Sequence, residues 1–391
     1  MHRISRALLY GLYLFFIIFV SLEILVRFWG YADMYLYDPI YMPFGPSREI
    51  PYILQPNLNQ VRAHGKIRIN TDALGLRSPV AGRTYGPKGK GEYRIAVMGD
   101  SVTFGVGVKA EETYPEVVEQ YLNKLQERCQ VTVFNFGVSS YSVKEMTATL
   151  KYRVPAIDPD LVIMGVIIDD FDPDRTPQVD ERGYNTHGGP STLVNRYPTL
   201  KAMLRNLHLS YLIRDLLART VMRHDKGYQV ANGQMPTLVA NSYKYLQEFK
   251  QVAEQYGYDY LVVTLPSVEG DGSEFTGVIN QMTKDNINCY NLAYLAPLFS
   301  KAEYHASKYD WHPSALIHHR IGVLLGDYLY DHFLKKSCQQ NVHAPSSSRW
   351  HQSCSRSVSR GPGINYNLFQ NLMFHKIVIL SVAKNLVFLK T

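Results

Sequence analysis

Cysteine is scarce in this sequence, acidic residues are missing from its last fifty-five positions, and no basic stripe with interleaved aromatics occurs anywhere. Each shortage removes a class of function. The four cysteines, Cys129, Cys289, Cys338 and Cys354, stand at no metal-like spacing. No zinc site is expected, and an even count outside the cytoplasm permits disulfides without fixing their pairing. The formal charge is +7, but six of the 41 basic residues and none of the 34 acidic ones lie after Ser337, so the preceding chain carries only +1. Nucleic acid is therefore not an expected partner. The acid-rich stretch Asp169, Asp170, Asp172, Asp174 lacks the glycine and distal glutamate of a calcium loop and reads as solvated loop carboxylates. No metal or organic cofactor is expected.

What is present is enough apolar residue, 46% of 391, for one good core with surplus at both ends. The front surplus runs from Ala7 to Val26, twenty residues. As a helix it spans about 30 Å, the thickness of one bilayer core. Glu23 falls near its outer end, where a carboxylate can reach the headgroups, and Phe28 and Trp29 follow as an interfacial belt. The stretch is long, and no small-x-small cleavage site follows Val26, which favours an uncleaved anchor over 1–29 rather than a signal peptide. His2, Arg3 and Arg6 precede it and only Arg27 closely follows, so the rest of the chain is expected outside the cytoplasm.

Residues 30–92, rich in Tyr, Pro and Gly, read as a lead-in packed on the domain, with a short strand at Lys66–Ile69. From Tyr93 strands and helices alternate. Strands are expected at Tyr93–Met98, Val131–Phe136, Leu161–Ile168 and Tyr260–Leu265, and helices behind a Thr113 capping box, at Ser142–Tyr152, at Ser242–Gln255 and from Ser314 to Leu334. That rhythm implies a parallel α/β sheet over 93–336 with ligands at the carboxyl ends of its strands. Residues 171–240 break the rhythm and read as a lid-like insertion, with a helix over Pro198–Thr220 and the loop His187–Pro190. The basic stretch 337–391 reads as a disordered tail; Lys376 and Lys384 interrupt its apolar part.

Two short motifs carry the chemistry. Ile95–Met98 ends in Gly99-Asp100-Ser101, which delivers a serine to the rim of a sheet, and Asp310-Trp311-His312-Pro313 supplies a base and a carboxylate to orient it. His318 and His319 read as the surface of the last helix.

With Asn135-Phe136-Gly137 and Gly165–Asp170 between them, these blocks resemble the SGNH (GDSL) hydrolase family, in family order, over roughly 93–335. The resemblance implies a flavodoxin-like three-layer α/β/α sandwich and a serine esterase or acyl-transfer mechanism. Ser101, His312 and Asp310 would form the triad. The backbone N–H groups of Ser101 and Gly137 would hold the oxyanion, and Asp169 stands where the family has an oxyanion-binding asparagine. An ionised carboxylate there would repel the developing charge, so burial beside Asp170 would have to keep Asp169 protonated, or Asn135 would substitute. The expected partner is an ester-bearing small molecule, glycan or lipid. The other class of reading is a membrane-tethered binding or assembly protein that retains the fold with weak or lost catalysis.

Overall fold

The structure is a computed structural model that describes residues 2–335 and Cys338, apart from 66, 127, 173–174, 176, 188–202, 222–236, 268–269 and 271. Its central sheet has eight strands: β1 (Val61–Arg62), β2 (Arg68–Thr71), β3 (Arg77–Ser78), β4 (Glu92–Gly99), β5 (Gln130–Gly137), β6 (Leu161–Val166), β7 (Asp259–Thr264) and β8 (Cys289–Asn291). Their spatial order is β8-β7-β6-β4-β5-β3-β2-β1. The five strands β5-β4-β6-β7-β8 run parallel, in the order of a flavodoxin-like sheet. The lead-in adds β3, β2 and β1 antiparallel to one edge, so it completes the sheet rather than resting on it.

Alternation along the strands builds a core on each face. Ala96, Met98, Phe134, Met164 and Val262 pack against α4 (Val143–Tyr152), α6 (Thr237–Tyr256) and α7 (Thr276–Lys284) through Met146, Phe249 and Met282. Ile95, Val97, Ile163 and Leu261 pack on the other side against α3 (Tyr114–Leu125) and α8 (Ala315–Leu329) through Val118, Leu122, Ile321 and Leu325. Strands buried on both faces read as unbroken apolar runs, as 161–166 does. Chain order reverses beside β4, and that reversal opens a crevice beyond its carboxyl end.

Several expectations are corrected here. The strand from Leu161 stops at Val166, and the chain turns into a 3-10 helix, Ile168–Phe171, because the Asp170 carboxylate accepts the Ile167 N–H at 2.9 Å. Thr113 forms no capping box: its hydroxyl donates to the Ala110 carbonyl, and Pro115 starts α3 without it. His318 is wholly buried, not superficial. Its Nδ1 accepts the Tyr114 N–H at 3.2 Å, and burial pushes its pKa down to about 3, so the ring stays neutral. Of the insertion, a hairpin of Pro177–Val179 with Asn185–His187 and the helix α5 (His208–Val221) are described. The loop Gly188–Pro190, the start of the helix expected from Pro198, Asp174, Cys354 and the tail from 339 lie outside the described residues.

The N-terminal helix α1 (His2–Trp29) is long and apolar enough to cross a bilayer, with every side chain from Leu8 to Ile18 exposed. Glu23 does not reach outward as expected. It is buried against α5, where it accepts the N–H groups of His208 (3.0 Å) and Leu209 (2.8 Å) and pairs with Arg27 at 2.7 Å. A helix start leaves N–H donors without partners, and a carboxylate satisfies them. Finally, a disulfide joins Cys129 to Cys338 across 209 residues of sequence.

Candidate active site

The carboxyl end of β4 meets the switch point, and Ser101 stands there as the first residue of a four-residue helix, α2 (Ser101–Phe104). Asp100 caps it, its Oδ1 accepting the Val102 N–H at 2.9 Å. A side chain at Gly99 would lie 1.9 Å from the Thr103 hydroxyl, so the turn closes only with glycine there. Gly107, at φ +79°, lies against Asp310: an added Cβ would come within 2.9 Å of its Oδ2. Gly107 thus leaves room for the distant carboxylate, while Gly105, at φ +80°, admits Thr113 and Val108.

His312 arrives on a strand, Asp310–Pro313, paired antiparallel with His305–Ser307 just before α8. Asp310 Oδ1 accepts both the His312 backbone N–H (3.1 Å) and a hydrogen bond from Nδ1 (2.6 Å). One intervening residue suffices, because the tight turn lets the carboxylate bind the backbone and the ring of the same histidine. With Nδ1 protonated toward a carboxylate, Nε2 is the acceptor, and it lies 3.1 Å from Ser101 Oγ. Burial would raise the Asp310 carboxyl, but the hydrogen bonds and charge of His312 outweigh it and hold the group below the usual carboxylate range. Trp311 stacks on the imidazole at 4.4 Å and is half exposed. Together these groups form a hydroxyl–imidazole–carboxylate relay, able to take a proton from the serine and return it to a leaving group.

The expected oxyanion residues fare differently. The Gly137 N–H donates to the side chain of its own Asn135 at 2.9 Å, so it is committed within the strand end. A Cβ on Gly137 would come within 2.3 Å of the Phe104 nitrogen, so the glycine admits α2 against β5. Asn135 completes the clamp by donating to the Thr103 carbonyl at 2.9 Å, which employs its amide away from a substrate. Asp170 rather than Asp169 is fully buried. Burial first, and the Asp100 charge second, raise its carboxyl well above the usual range.

Arg175 was not among the residues singled out from the sequence. It binds Asp170 Oδ1 at 2.7 Å and the Tyr141 carbonyl at 2.9 Å. Burial would lower its guanidinium, but Asp170, Asp100 and Asp169 together raise it. An acid-rich run with one arginine five residues beyond Asp170 was the available signal. The lead-in also reaches the site: His64 is half-buried, with Nδ1 held by the Met34 carbonyl, and desolvation and the charge of His312 bring its pKa down to about 4.

Residues 97–320 match the GDSL-like lipase/acylhydrolase family. Curated proteins gave no match. Among solved structures, an esterase active on acetylated mannans is 14% identical, with a TM-score of 0.37; the match covers 66% of this chain and 54% of that two-domain protein. A lipase/acylhydrolase from Enterococcus faecalis is 12% identical at a TM-score of 0.36, over 61% of this chain and 96% of its own. A variant of an acetyl xylan esterase from Geobacillus stearothermophilus is 16% identical at 0.35, over 59% and 91%.

Proposed function

Because the chain belongs to the GDSL-like lipase/acylhydrolase family and is an ester hydrolase, we propose that Ser101 is its nucleophile, His312 its general base and Asp310 the residue that orients that base. The observation that carries the assignment is the continuous hydrogen-bonded line from Asp310 through His312 to Ser101. Ser101 Oγ attacks the acyl carbon as Nε2 takes its proton. His312 returns that proton to the departing alcohol, and water or a sugar hydroxyl then releases the acyl group by the reverse steps. The Ser101 N–H holds the oxyanion. The Gly137 N–H, committed to Asn135 in this structure, becomes the second donor only if it exchanges that partner for the oxyanion.

The substrate in this reading is a small acyl ester of a glycan or lipid, outside the cytoplasm, with α1 as a single-pass anchor. The rival reading, a tethered assembly protein of the same fold, draws on the carboxylate at Asp169 and the engaged Gly137. A fluorophosphonate probe separates the two. Wild-type protein is expected to label, and Ser101→Ala to abolish the label; folded wild-type protein that stays unlabelled favours the assembly protein.

Asp169→Asn is expected to keep the esterase rate or raise it up to about tenfold, since a carboxylate near a developing oxyanion opposes it and an amide donates to it. A collapse of the rate measured on p-nitrophenyl acetate would count against placing Asp169 beside the oxyanion.

A further inference from the structure

The burial of Glu23 has a geometric consequence. Glu23 lies six residues before the end of α1, so the start of α5 that it caps is held about 9 Å short of the helix end, inside the apolar stretch. A free carboxylate at that depth would be costly, but this one is spent on two backbone N–H groups and Arg27. What it brings to that depth is apolar. Met203 is 65% exposed, and along α5 the residues Leu209, Leu212, Ile213 and Leu216 form one stripe, its first member buried and its last 54% exposed. Beyond the stripe comes an aromatic and basic layer. Tyr35 stacks on Tyr211 at 5.1 Å, Arg214 lies 4.3 Å over the Tyr35 ring, and Tyr31 and Tyr35 both donate to Asp215. Apolar side chains below and tyrosine with arginine above is the order a helix needs to lie in a bilayer interface.

The active site hangs from the same layer. Tyr31, two residues past the end of α1, packs edge-on against Tyr309 at 5.4 Å, and Tyr309 immediately precedes Asp310. We propose that Met203 to Leu216 is a membrane-inserted interfacial segment, clamped to α1 by Glu23, that holds the Ser101 site at the bilayer surface, so that the ester it takes is carried by an amphiphile resident in the membrane. The substrate part rests on the esterase reading above, and the seating part does not.

Two measurements on the full chain, in vesicles of phosphatidylcholine and phosphatidylglycerol, test it. Met203→Cys and Leu216→Cys, labelled with a nitroxide without reduction, should collide more with oxygen than with a water-soluble nickel chelate; no described cysteine is free to compete for the label. Lys284→Cys, exposed just before the opposite end of β8, should show the reverse. The double variant Met203→Glu, Leu216→Glu should cleave hexadecyl acetate held in the vesicles roughly tenfold more slowly, and p-nitrophenyl acetate in water within about twofold of wild type. Nickel-dominated labels at 203 and 216 overturn the seating, and equal effects on the two esters overturn the substrate class. Wild-type protein that cleaves neither ester sinks the esterase reading and with it the substrate class, and the depth labels alone then decide the seating.

Discussion

His312→Ala is expected to lower kcat for ester hydrolysis by about ten-thousandfold or more, with the fold retained. The imidazole is the acceptor that Ser101 Oγ meets at 3.1 Å, and the other nearby acceptor, Asp100 Oδ2, lies at 3.3 Å. Asp100 cannot replace it, since a carboxylate is too weak a base to hold the serine proton through the attack. The ring is buried beneath half-exposed Trp311, and its loss leaves the buried Asp310 carboxylate without its imidazole partner, so folding is checked beside the rate. Initial rates on p-nitrophenyl acetate, with circular dichroism to check folding, decide the matter. A folded variant within tenfold of wild type would end the case for His312 as the base.

Arg175→Met is expected to cost about 3 kcal/mol of stability wherever Asp170 is ionised, because it strands that carboxylate without the guanidinium that pairs it. The cost depends on pH with a definite sign. Asp170 already has a folded pKa raised above its unfolded value, by burial first and the Asp100 charge second. A carboxyl raised in that way supports the fold fully below its unfolded value, near 4, and the support is lost as pH rises through the folded value. Removing Arg175 lifts the folded value further, so the variant should approach wild type near pH 4 and fall away from it as pH rises through the wild-type folded value. Urea denaturation across a pH series measures this; an equal deficit throughout would show that Arg175 acts through packing alone. The same substitution leaves Asp100 and Asp169 uncompensated near Ser101, so the esterase rate should fall with it.

The parallel sheet was legible because strands buried on both faces are largely apolar: 161–166 is apolar throughout, and 93–98 and 131–136 are interrupted only by Arg94, Thr132 and Asn135. β3 was not, since a two-residue strand, Arg77–Ser78, has no period to detect. Its place is set by Arg77, whose guanidinium donates to the carbonyls of Phe104, Gly105 and Val108 and so ties the lead-in to α2. At the candidate site, Ser101 and His312 stood out because few side chains can serve as nucleophile and base, and a strand end or a turn marks each of them. The partners of Gly137, Asp170 and Glu23 were invisible for one shared reason: each is fixed by a hydrogen bond whose other end is set by tertiary packing or by local backbone geometry. A glycine at a strand end fits an oxyanion donor and a packing contact equally well, and only the position of Asn135 Oδ1 tells them apart.

Ser101 precedes Cys129, while His312 lies between Cys129 and Cys338. A protease that nicks the backbone once, anywhere between the two cysteines, would therefore leave both fragments on a single covalent body, with Ser101 and His312 still tethered. Such nicked protein would migrate intact on a non-reducing gel and split in two only after a thiol is added.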